Sequence, residues 1–377
     1  MVNHYPVIDA DAHVEEWEAT FSDRYWPSDL SSKRPLVTLV EGQPMWWIEG
    51  SVFPKLTGKG CHVFGTPASA NGVLSVAAAN KLESLDSQEL RDPKARVADL
   101  DREGIDLQVL YPTLFVAAYS LASDPRLEVA LYQAYNRWID DAVGNEPRLK
   151  WVAVVTLTDV AAAVKEVEWA RAAGAVGVMT LGTVRDEPLD RPAFDPFFSA
   201  LEAHRLPLII HVGWSAPGLN QLFDTNFTAI TFPFRAQVQI AFVHLIAGGV
   251  LDRHPHLKVG FFEAGVGWVP YWLEIMEYYF DVRRRRPGLP FLEYRAQERP
   301  SEYIRRGQCF FGIEEYERLL PATLEMIGDE AIVWASDIPH NDREPEAAHH
   351  FANHPQLNDV QKRKILADNA RRFYGLS

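Results

Sequence analysis

The sequence has few cysteines, a deficit of positive charge and no long apolar run, and each absence excludes a class of protein. Its two cysteines among 377 residues, Cys61 and Cys309, lie far apart and form no CxxC pair. This excludes a thiolate zinc finger and a disulfide framework, and it favours a reducing cytoplasm. The net charge of −14 argues against nucleic acid and membrane surfaces as partners, because both are polyanions. We find no run that approaches the roughly 18 apolar residues of a membrane span.

A glycine-rich dinucleotide fingerprint is also missing after the first apolar run, which weakens the hypothesis of a doubly wound sheet. What is present is an alternation of short apolar runs with amphipathic stretches of helical length. The predicted strands are 6–11, 107–111, 150–155, 176–180, 207–212, 257–263, 308–312 and 331–336. The predicted helices are 92–103, 125–145, 159–173, 195–204, 234–252, 267–283, 316–327 and 359–374. Eight such units predict a single α/β domain, a (β/α)₈ TIM barrel over residues 1–377.

Residues 14–86 interrupt this alternation. The segment is rich in tryptophan, proline and glycine, includes Trp46 and Trp47, and has no helical period. It is too long for an ordinary loop. We therefore expect a large insertion after strand 1 that covers the mouth of the barrel.

Four of the eight predicted strands end in residues that can bind a metal or move a proton. These residues are Asp11 and His13 after strand 1, His211 after strand 5, Glu263 after strand 6, and Asp337 with His340 after strand 8. In a barrel of this kind the strand ends share one face, where the chemistry takes place. Two imidazoles and two carboxylates suit Zn²⁺, Mn²⁺ or Fe²⁺. We predict one divalent ion per chain, zinc first and manganese next, with the ligands Asp11, His13, His211 and Asp337.

Each of these residues also has an ordinary structural explanation when it is taken alone. An aspartate after a strand is often a helix cap, and a histidine in a buried run is more often a hydrogen-bonded core residue. One shared site explains their joint occurrence better than several independent accidents. Because side chains alternate along a strand, we expect Asp9, Asp11 and His13 to point the same way.

Several motifs resemble the amidohydrolase-related family, which includes α-amino-β-carboxymuconate-ε-semialdehyde decarboxylase. They occupy residues 7–13, 207–211, 248–258, 334–340 and 364–370. The resemblance covers essentially the whole chain and is weakest over residues 14–86. It implies a barrel with one divalent metal, often in a homodimer, that catalyses decarboxylation, hydrolysis or hydration. It also assigns the family's metal ligands to the four residues named above.

Two positions depart from the family pattern. The first ligand is often histidine and here is Asp11, which some decarboxylases of the family tolerate. Many members end strand 6 with a catalytic histidine, where this chain has Glu263. A carboxylate can orient water or act as a general base, but its resting charge differs from that of an imidazole.

The resemblance favours non-oxidative decarboxylation of a small aromatic or unsaturated carboxylic acid, with hydrolysis of a C–N, C–O or C–C bond as the alternative. The expected catalytic residues are Asp337, Glu263 and His340. An anionic substrate needs a cation and a flat apolar slot, for which we expect Arg235, Trp268, Trp46 and Trp47. A non-catalytic binding protein is a second hypothesis, against which the intact ligand set argues.

Overall fold

Eight parallel strands form one sheet, in the same order as in the sequence. The structure is a computed structural model and describes residues 1–62, 65–115, 122–289, 293–314 and 317–376. The strands are β1 (Ile8–Val14), β2 (Leu107–Pro112), β3 (Leu149–Val154), β4 (Gly177–Leu181), β5 (Leu208–His211), β6 (Val259–Phe262), β7 (Cys309–Ile313) and β8 (Ile332–Trp334). Each overlaps one of the eight predicted strands.

Backbone contacts beside β1 and β8 close the sheet. The N–H of Asp337 donates to the carbonyl of Asp11 at 3.2 Å, and the N–H of His13 donates to the carbonyl of Ile338 at 2.6 Å. Every residue of β1 and of β4 to β8 is buried, as expected of parallel strands covered on both faces. The sheet is therefore a nearly closed barrel, and the predicted fold class is confirmed.

Helices surround this barrel. The long ones are α1 (Pro93–Glu103), α2 (Pro125–Val143), α3 (Val160–Ala173), α4 (Asp195–His204), α5 (Pro233–Ala247), α6 (Val269–Arg285) and α7 (Leu320–Ile327). The last predicted helix consists of Asp359–Arg363, a π-helical turn Lys364–Asp368, and Asn369–Tyr374. Asp92, Asp124 and Asp159 cap α1, α2 and α3 by accepting from backbone N–H groups of the first turn.

Two helix predictions differ from the structure. The predicted helix 234–252 ends at Ala247 and a separate turn, Val250–Arg253, follows, because Gly249 adopts a left-handed conformation with φ 71°. The predicted helix 316–327 is observed only as α7, and residue 316 lies outside the described part of the chain.

The segment between β1 and α1 contains short elements. They are the 3₁₀ turns Glu18–Phe21 and Ser28–Lys33, an antiparallel sheet of Leu36–Val40, Gln43–Ile48 and Ser51–Phe53, a pair Ser69–Ala70 and Val73–Leu74, and the helices Val76–Ala79 and Leu85–Gln88. The interpretation of residues 14–86 as an insertion that covers the mouth stays a prediction.

The remaining short elements connect the barrel units. They are Thr183–Val184 with Glu187–Pro188, Pro192–Phe194, Pro217–Asn220, Asn226–Thr231, Pro300–Arg305 and Ala347–Ala352. One described stretch, Asn226–Ala247, is long and apolar enough to cross a membrane by length and composition alone. It contains α5, and 56% of its apolar window is buried within the structure, as in a core helix.

Candidate metal centre and active site

Five buried side chains from four strand ends converge at one face of the barrel. We call them the ligand cluster: Asp11 and His13 in β1, His211 at the end of β5, Glu263 after β6, and Asp337 after β8. None of the five side chains is more than 10% exposed. The cluster contains all four predicted metal ligands and Glu263.

The distances within the ligand cluster are those of groups that surround a common point. Nε2 of His211 lies 3.0 Å from Oε2 of Glu263 and 3.5 Å from Oδ2 of Asp11. Nε2 of His13 lies 3.6 Å from an oxygen of Asp11 and 3.5 Å from oxygens of both Glu263 and Asp337. Both imidazoles therefore face several carboxylates at once.

The other nitrogen of each imidazole fixes its tautomer. Nδ1 of His13 lies 2.9 Å from the carbonyl of Pro112, and Nδ1 of His211 lies 3.1 Å from the carbonyl of Val212. A carbonyl can only accept, so each Nδ1 carries the proton and donates it. This leaves the lone pair of each Nε2 directed at the carboxylates, the arrangement that metal-binding histidines use.

The facing atoms of the ligand cluster have no hydrogen-bond partner among the residues that the structure describes. They are Oδ1 of Asp11, Nε2 of His13, Nε2 of His211, Oε2 of Glu263 and Oδ1 of Asp337. Buried acceptors that face one another without a donor are costly. A divalent cation would satisfy all of them, and this mixture of imidazole and carboxylate is one that such ions prefer. The residues therefore fit the metal that the sequence predicts.

The crowding of buried acidic groups in the ligand cluster shifts the pKa values of its members. Burial, together with the charge of Glu263, raises the pKa of Asp337 well above its ordinary value. Burial lowers the pKa of His211, but the charges of Asp11 and Glu263 outweigh it and raise that pKa well above the usual range. Burial and the charges of Asp337 and Glu263 also raise the pKa of Glu314, which follows β7. A cation is the natural counterpart of this site.

The backbone is strained where two of the carboxylates enter the site. Glu263 has a φ of 59° and Asp337 a φ of 58°, both in the left-handed region. Residues other than glycine rarely adopt this conformation, and it concentrates at functional sites because the strain costs about 1–3 kcal/mol per residue.

His340 links the ligand cluster to a cavity. Its Nδ1 lies 2.7 Å from Oδ1 of Asp337, its Nε2 lies 3.1 Å from Oγ1 of Thr113, and its ring stacks on that of His13 with centroids 4.2 Å apart. The three predicted catalytic residues, Asp337, Glu263 and His340, are thus neighbours.

The cavity beside His340 has a volume of about 310 Å³. Its polar lining includes Glu15, Lys81, Thr113, His340 and Asp342. The Lys81 and Glu15 side chains form an ion pair and are both less than a tenth exposed. The pair belongs to the segment between β1 and α1, so this irregular segment contributes a charged wall to the cavity.

The predicted substrate-binding residues lie elsewhere, and none is among the described residues that line this cavity. Nη1 of Arg235 donates to the carbonyl of Ile230 at 2.7 Å. Trp268 packs on Phe242 at a centroid distance of 5.3 Å. Trp46 is buried against Phe21, whereas Trp47 is 43% exposed. Their contact with substrate stays a prediction.

Sequence reasoning missed Glu314 and the pair Glu15 and Lys81. Glu314 directly follows β7, so the same strand-end argument could have found it. The pair comes from a segment without periodicity and left no comparable signal.

A second buried polar group, which we call the Arg96 network, lies next to the ligand cluster. It consists of Asp9, Arg96, Gln108 and Ser336. The guanidinium donates to the carbonyls of His13 and Ser87 and to Oε1 of Gln108, and the amide of Gln108 donates to Asp9. The backbone N–H and hydroxyl of Ser336 donate to the same carboxylate.

The position of Asp9 corrects the expectation that it points with Asp11 and His13. The register of β1 against β2 shifts between Asp9 and Ala12, as at a β-bulge, so simple alternation fails there. Burial raises the pKa of Asp9 to about 6, although the hydrogen bonds from Ser336 and Gln108 lower it. Asp9 holds the strands together, whereas Asp11 and His13 enter the ligand cluster.

Comparison with known proteins gives a consistent likeness. The sequence pattern of a protein family described as amidohydrolase matches residues 8–376 of this chain. A 2-amino-3-carboxymuconate-6-semialdehyde decarboxylase from Dictyostelium discoideum is 24% identical over 288 residues, which cover 76% of this chain and 77% of that protein.

Solved structures show the same fold. An amidohydrolase from Mycobacterium avium subsp. paratuberculosis K-10 superposes with a TM-score of 0.76 at 22% identity, covering 99% of this chain and 100% of the other. A 5-carboxyvanillate decarboxylase from Novosphingobium aromaticivorans DSM 12444, with bound manganese and 3-methoxy-4-hydroxy-5-nitrobenzoic acid, has a TM-score of 0.73 at 19% identity, covering 99% and 98%.

Proposed function

This chain belongs to the amidohydrolase family, and from that premise we propose that it is a metal-dependent, non-oxidative decarboxylase of a small aromatic or unsaturated carboxylic acid. The observation that carries the proposal is a ring of buried metal-binding atoms without a hydrogen-bond partner among the described residues, which adjoins a cavity through His340. The decarboxylases among its relatives and structural neighbours support the choice of reaction.

Asp11, His13 and His211 hold the ion, with a further carboxylate from Asp337 or Glu263. When it is bound, the ion polarises an oxygen of the substrate and offsets the charge of the carboxylates. Zinc and manganese both suit the ligand set, and the manganese in the 5-carboxyvanillate decarboxylase supports the second.

Asp337 is the general acid of the reaction. Its carboxyl group gives a proton to the substrate carbon that carries the carboxylate, so that a C–H bond forms there. The C–C bond to the carboxylate then breaks, its electron pair stays with the ring, and carbon dioxide leaves. His340, 2.7 Å from Oδ1 of Asp337 and in the lining of the cavity, returns the proton from solvent.

Lys81 is the cation that faces the substrate, in the place that the sequence analysis gave to Arg235. Its ammonium group lies in the cavity wall and is buried, and Glu15 holds it in position. A buried cation favours an anionic ligand, which fits a carboxylic acid. Because Arg235 bonds to the carbonyl of Ile230, which also lines the cavity, it supports this wall from behind.

The test separates decarboxylation from hydrolysis. Protein loaded with Mn²⁺ or Zn²⁺ is incubated with a panel of hydroxybenzoates and with a panel of amides and lactones, and carbon dioxide and acid are measured separately. We expect carbon dioxide from at least one acid and none after chelation of the metal. Release of acid without carbon dioxide would make the chain a hydrolase, and turnover by metal-free protein would refute both.

Three further expectations are part of the proposal. The chain forms a homodimer. The exposed side chains of Tyr271, Tyr278 and Tyr279 in α6 support this expectation, and sedimentation velocity can test it. It works in the cytoplasm, in keeping with the two free, buried cysteines. Residues 14–86 form the wall of the substrate cavity that carries Lys81, and a Lys81→Met variant should raise KM for the acid about tenfold or more.

A further inference from the structure

We infer that Glu263, and not Asp337, provides the fourth protein ligand of the metal ion. The inference rests on the proposed function, because it assumes that the ligand cluster binds the ion. It replaces the strand 8 ligand that the sequence predicts with one from strand 6. Asp337 is then free to work on the substrate together with His340.

The mutual distances of the donor atoms single out one set of four residues. Their donor atoms all lie within 4.8 Å of one another, and they belong to Asp11, His13, His211 and Glu263. Asp337 is absent from this set. It belongs to a second one, with His13, Glu263 and His340. Glu263 is common to both sets, so it lies nearer the centre of the site than Asp337 does.

The nearest neighbours of the two carboxylates also favour Glu263 as the ligand. Oε2 of Glu263 lies 3.0 Å from Nε2 of His211 and 3.5 Å from Nε2 of His13, between two imidazole lone pairs. Three acceptors in this arrangement repel one another unless a cation lies among them. Oδ1 of Asp337 lies 3.5 Å from His13 but 2.7 Å from Nδ1 of His340. The shortest imidazole contact of Asp337 is therefore with His340, outside the set of four, whereas that of Glu263 is with His211, inside it.

The backbone at the end of β6 is built to present this carboxylate. Glu263 is held at a φ of 59°, which a glutamate rarely adopts, and Gly265 follows at a φ of 71°. The carboxylate of Glu317 accepts from the N–H of Val266 at 2.6 Å and so fixes the turn from outside. Strain that a neighbouring side chain maintains in this way is typical of residues with a functional role.

The charges of the set are balanced. Asp11 and Glu263 together carry two negative charges, which match a divalent ion bound by two neutral imidazoles. The four ligands are then two oxygen donors and two nitrogen donors, which suits zinc or manganese. Asp337 stands outside this neutral unit, where a carboxyl group can take up and release a proton in each turnover.

The test compares two isosteric variants by metal binding rather than by activity. Chelator-stripped full-length protein is titrated with Mn²⁺, with free ion followed by electron paramagnetic resonance, and with Zn²⁺ against a chromophoric chelator. We expect Glu263→Gln to weaken binding at least about 100-fold, at or beyond the upper end seen for residues that only support a ligand. Asp337→Asn should change it less than about fivefold. Glu128→Gln, which alters a buried carboxylate bonded to Thr156 and Thr158, is the matched control.

Equal weakening by the two variants, or unchanged binding in Glu263→Gln, would overturn the inference. If Glu263→Gln does not fold, as judged by circular dichroism, crystals of the unaltered protein soaked in Zn²⁺ decide the matter. Anomalous scattering should then place zinc about 2.0–2.2 Å from an oxygen of Glu263 and beyond bonding distance of Asp337, and the reverse would refute it. Because neither measurement needs turnover, failure of the decarboxylase proposal would leave this result intact.

Discussion

The ligand cluster and the Arg96 network lie side by side and are both buried, but they treat their polar atoms in opposite ways. In the Arg96 network, Asp9 accepts hydrogen bonds from Gln108 and Ser336, and the guanidinium donates to three different residues. In the ligand cluster, one donor atom of each residue lacks a hydrogen-bond partner within the part of the chain that the structure describes. Buried polar groups that only support the fold find hydrogen-bond partners within the fold. Those that perform chemistry keep donor atoms available to a ligand.

This contrast predicts different costs of substitution. Removal of one partner from a fully hydrogen-bonded buried network leaves the other donors and acceptors without hydrogen bonds, which lowers the stability of the fold. Removal of a carboxylate from the ligand cluster lowers the repulsion among like charges, so that it harms function and spares or improves the fold. The following predictions test this division.

The largest effect is expected from Asp337→Asn. Loss of the general acid should lower kcat for decarboxylation at least about 1000-fold, within the range that general acid–base groups contribute. The thermal unfolding midpoint of the metal-free variant should equal or exceed that of the unaltered protein, because the amide cannot ionise beside Glu263, whereas burial and that charge oppose ionisation of the carboxyl group. Carbon dioxide release and circular dichroism melts measure the two quantities. A variant that keeps its activity, or that unfolds much earlier, would break the comparison.

Removal of the metal is expected to affect stability next most strongly. An ion present at about 1000 times its dissociation constant stabilises the folded state by about 4 kcal/mol, because the unfolded chain lacks the site. Urea unfolding with and without chelator measures this difference. Because Glu263→Gln is expected to weaken binding about 100-fold, it should keep only about 1.4 kcal/mol of this response, and a full response in that variant would contradict its role as a ligand.

Arg96→Met should lower stability by about 3 kcal/mol, because it leaves the carbonyls of His13 and Ser87 and the amide oxygen of Gln108 without their cationic donor. We expect metal stoichiometry to stay at one ion per chain, because none of the ligands is altered. Equilibrium unfolding in urea and elemental analysis check the two halves of this prediction. Arg96→Lys, which keeps the charge, is the control and should lose less. Loss of the metal with unchanged stability would reverse the roles that we assign.

The most gradual effect on stability concerns Glu16, a buried acidic residue whose side-chain oxygens accept hydrogen bonds from the backbone. It accepts from the backbone N–H groups of Thr113 and Leu114, and burial, with a contribution from Glu15, raises its pKa to about 8. The unfolded chain releases this proton near pH 4.5 but the folded chain holds it to about pH 8, so stability falls as pH rises between these values.

Glu16→Gln should remove that slope, on the order of 1 kcal/mol per pH unit. Unfolding free energies of both proteins at about pH 5, 6, 7 and 8 measure it. The variant loses one backbone hydrogen bond at every pH, so the test is the difference in slope and not in absolute stability. Parallel curves would show that Glu16 is ionised in the folded state.

The sequence predicted most of the barrel because periodicity is a local signal. Helix α4, Asp195–His204, has the predicted bounds, and the eight strands follow the predicted apolar runs. The local signal failed where one residue changes the backbone. The left-handed Gly249 divides a predicted helix, and the irregular register after Asp9 separates it from Asp11.

The composition of the site was predictable in part for the same reason. Because the strand ends of a barrel share one face, the sequence alone places Asp11, His211 and Asp337 together. The partnership of Lys81 with Glu15 depends on how an aperiodic segment folds back over the barrel, and no local pattern encodes it. The choice between Glu263 and Asp337 as a ligand depends on the mutual distances of side-chain atoms from different strands, and strand spacing does not determine them.

Three residues of the ligand cluster, Asp11, His13 and Asp337, lie at the seam at which β1 meets β8, and this determines when the whole cluster can form. Ser336 and Asp9, which tie the seam, are separated by 327 residues. Contacts between residues so distant in the chain form late, because a long loop must close first. A growing polypeptide at the ribosome therefore cannot complete the ligand cluster until its eighth strand has been made. The four inferred ligands come from β1, β5 and β6, so we expect the ion to bind once these strands have assembled and Asp337 to join the site when β8 closes the barrel.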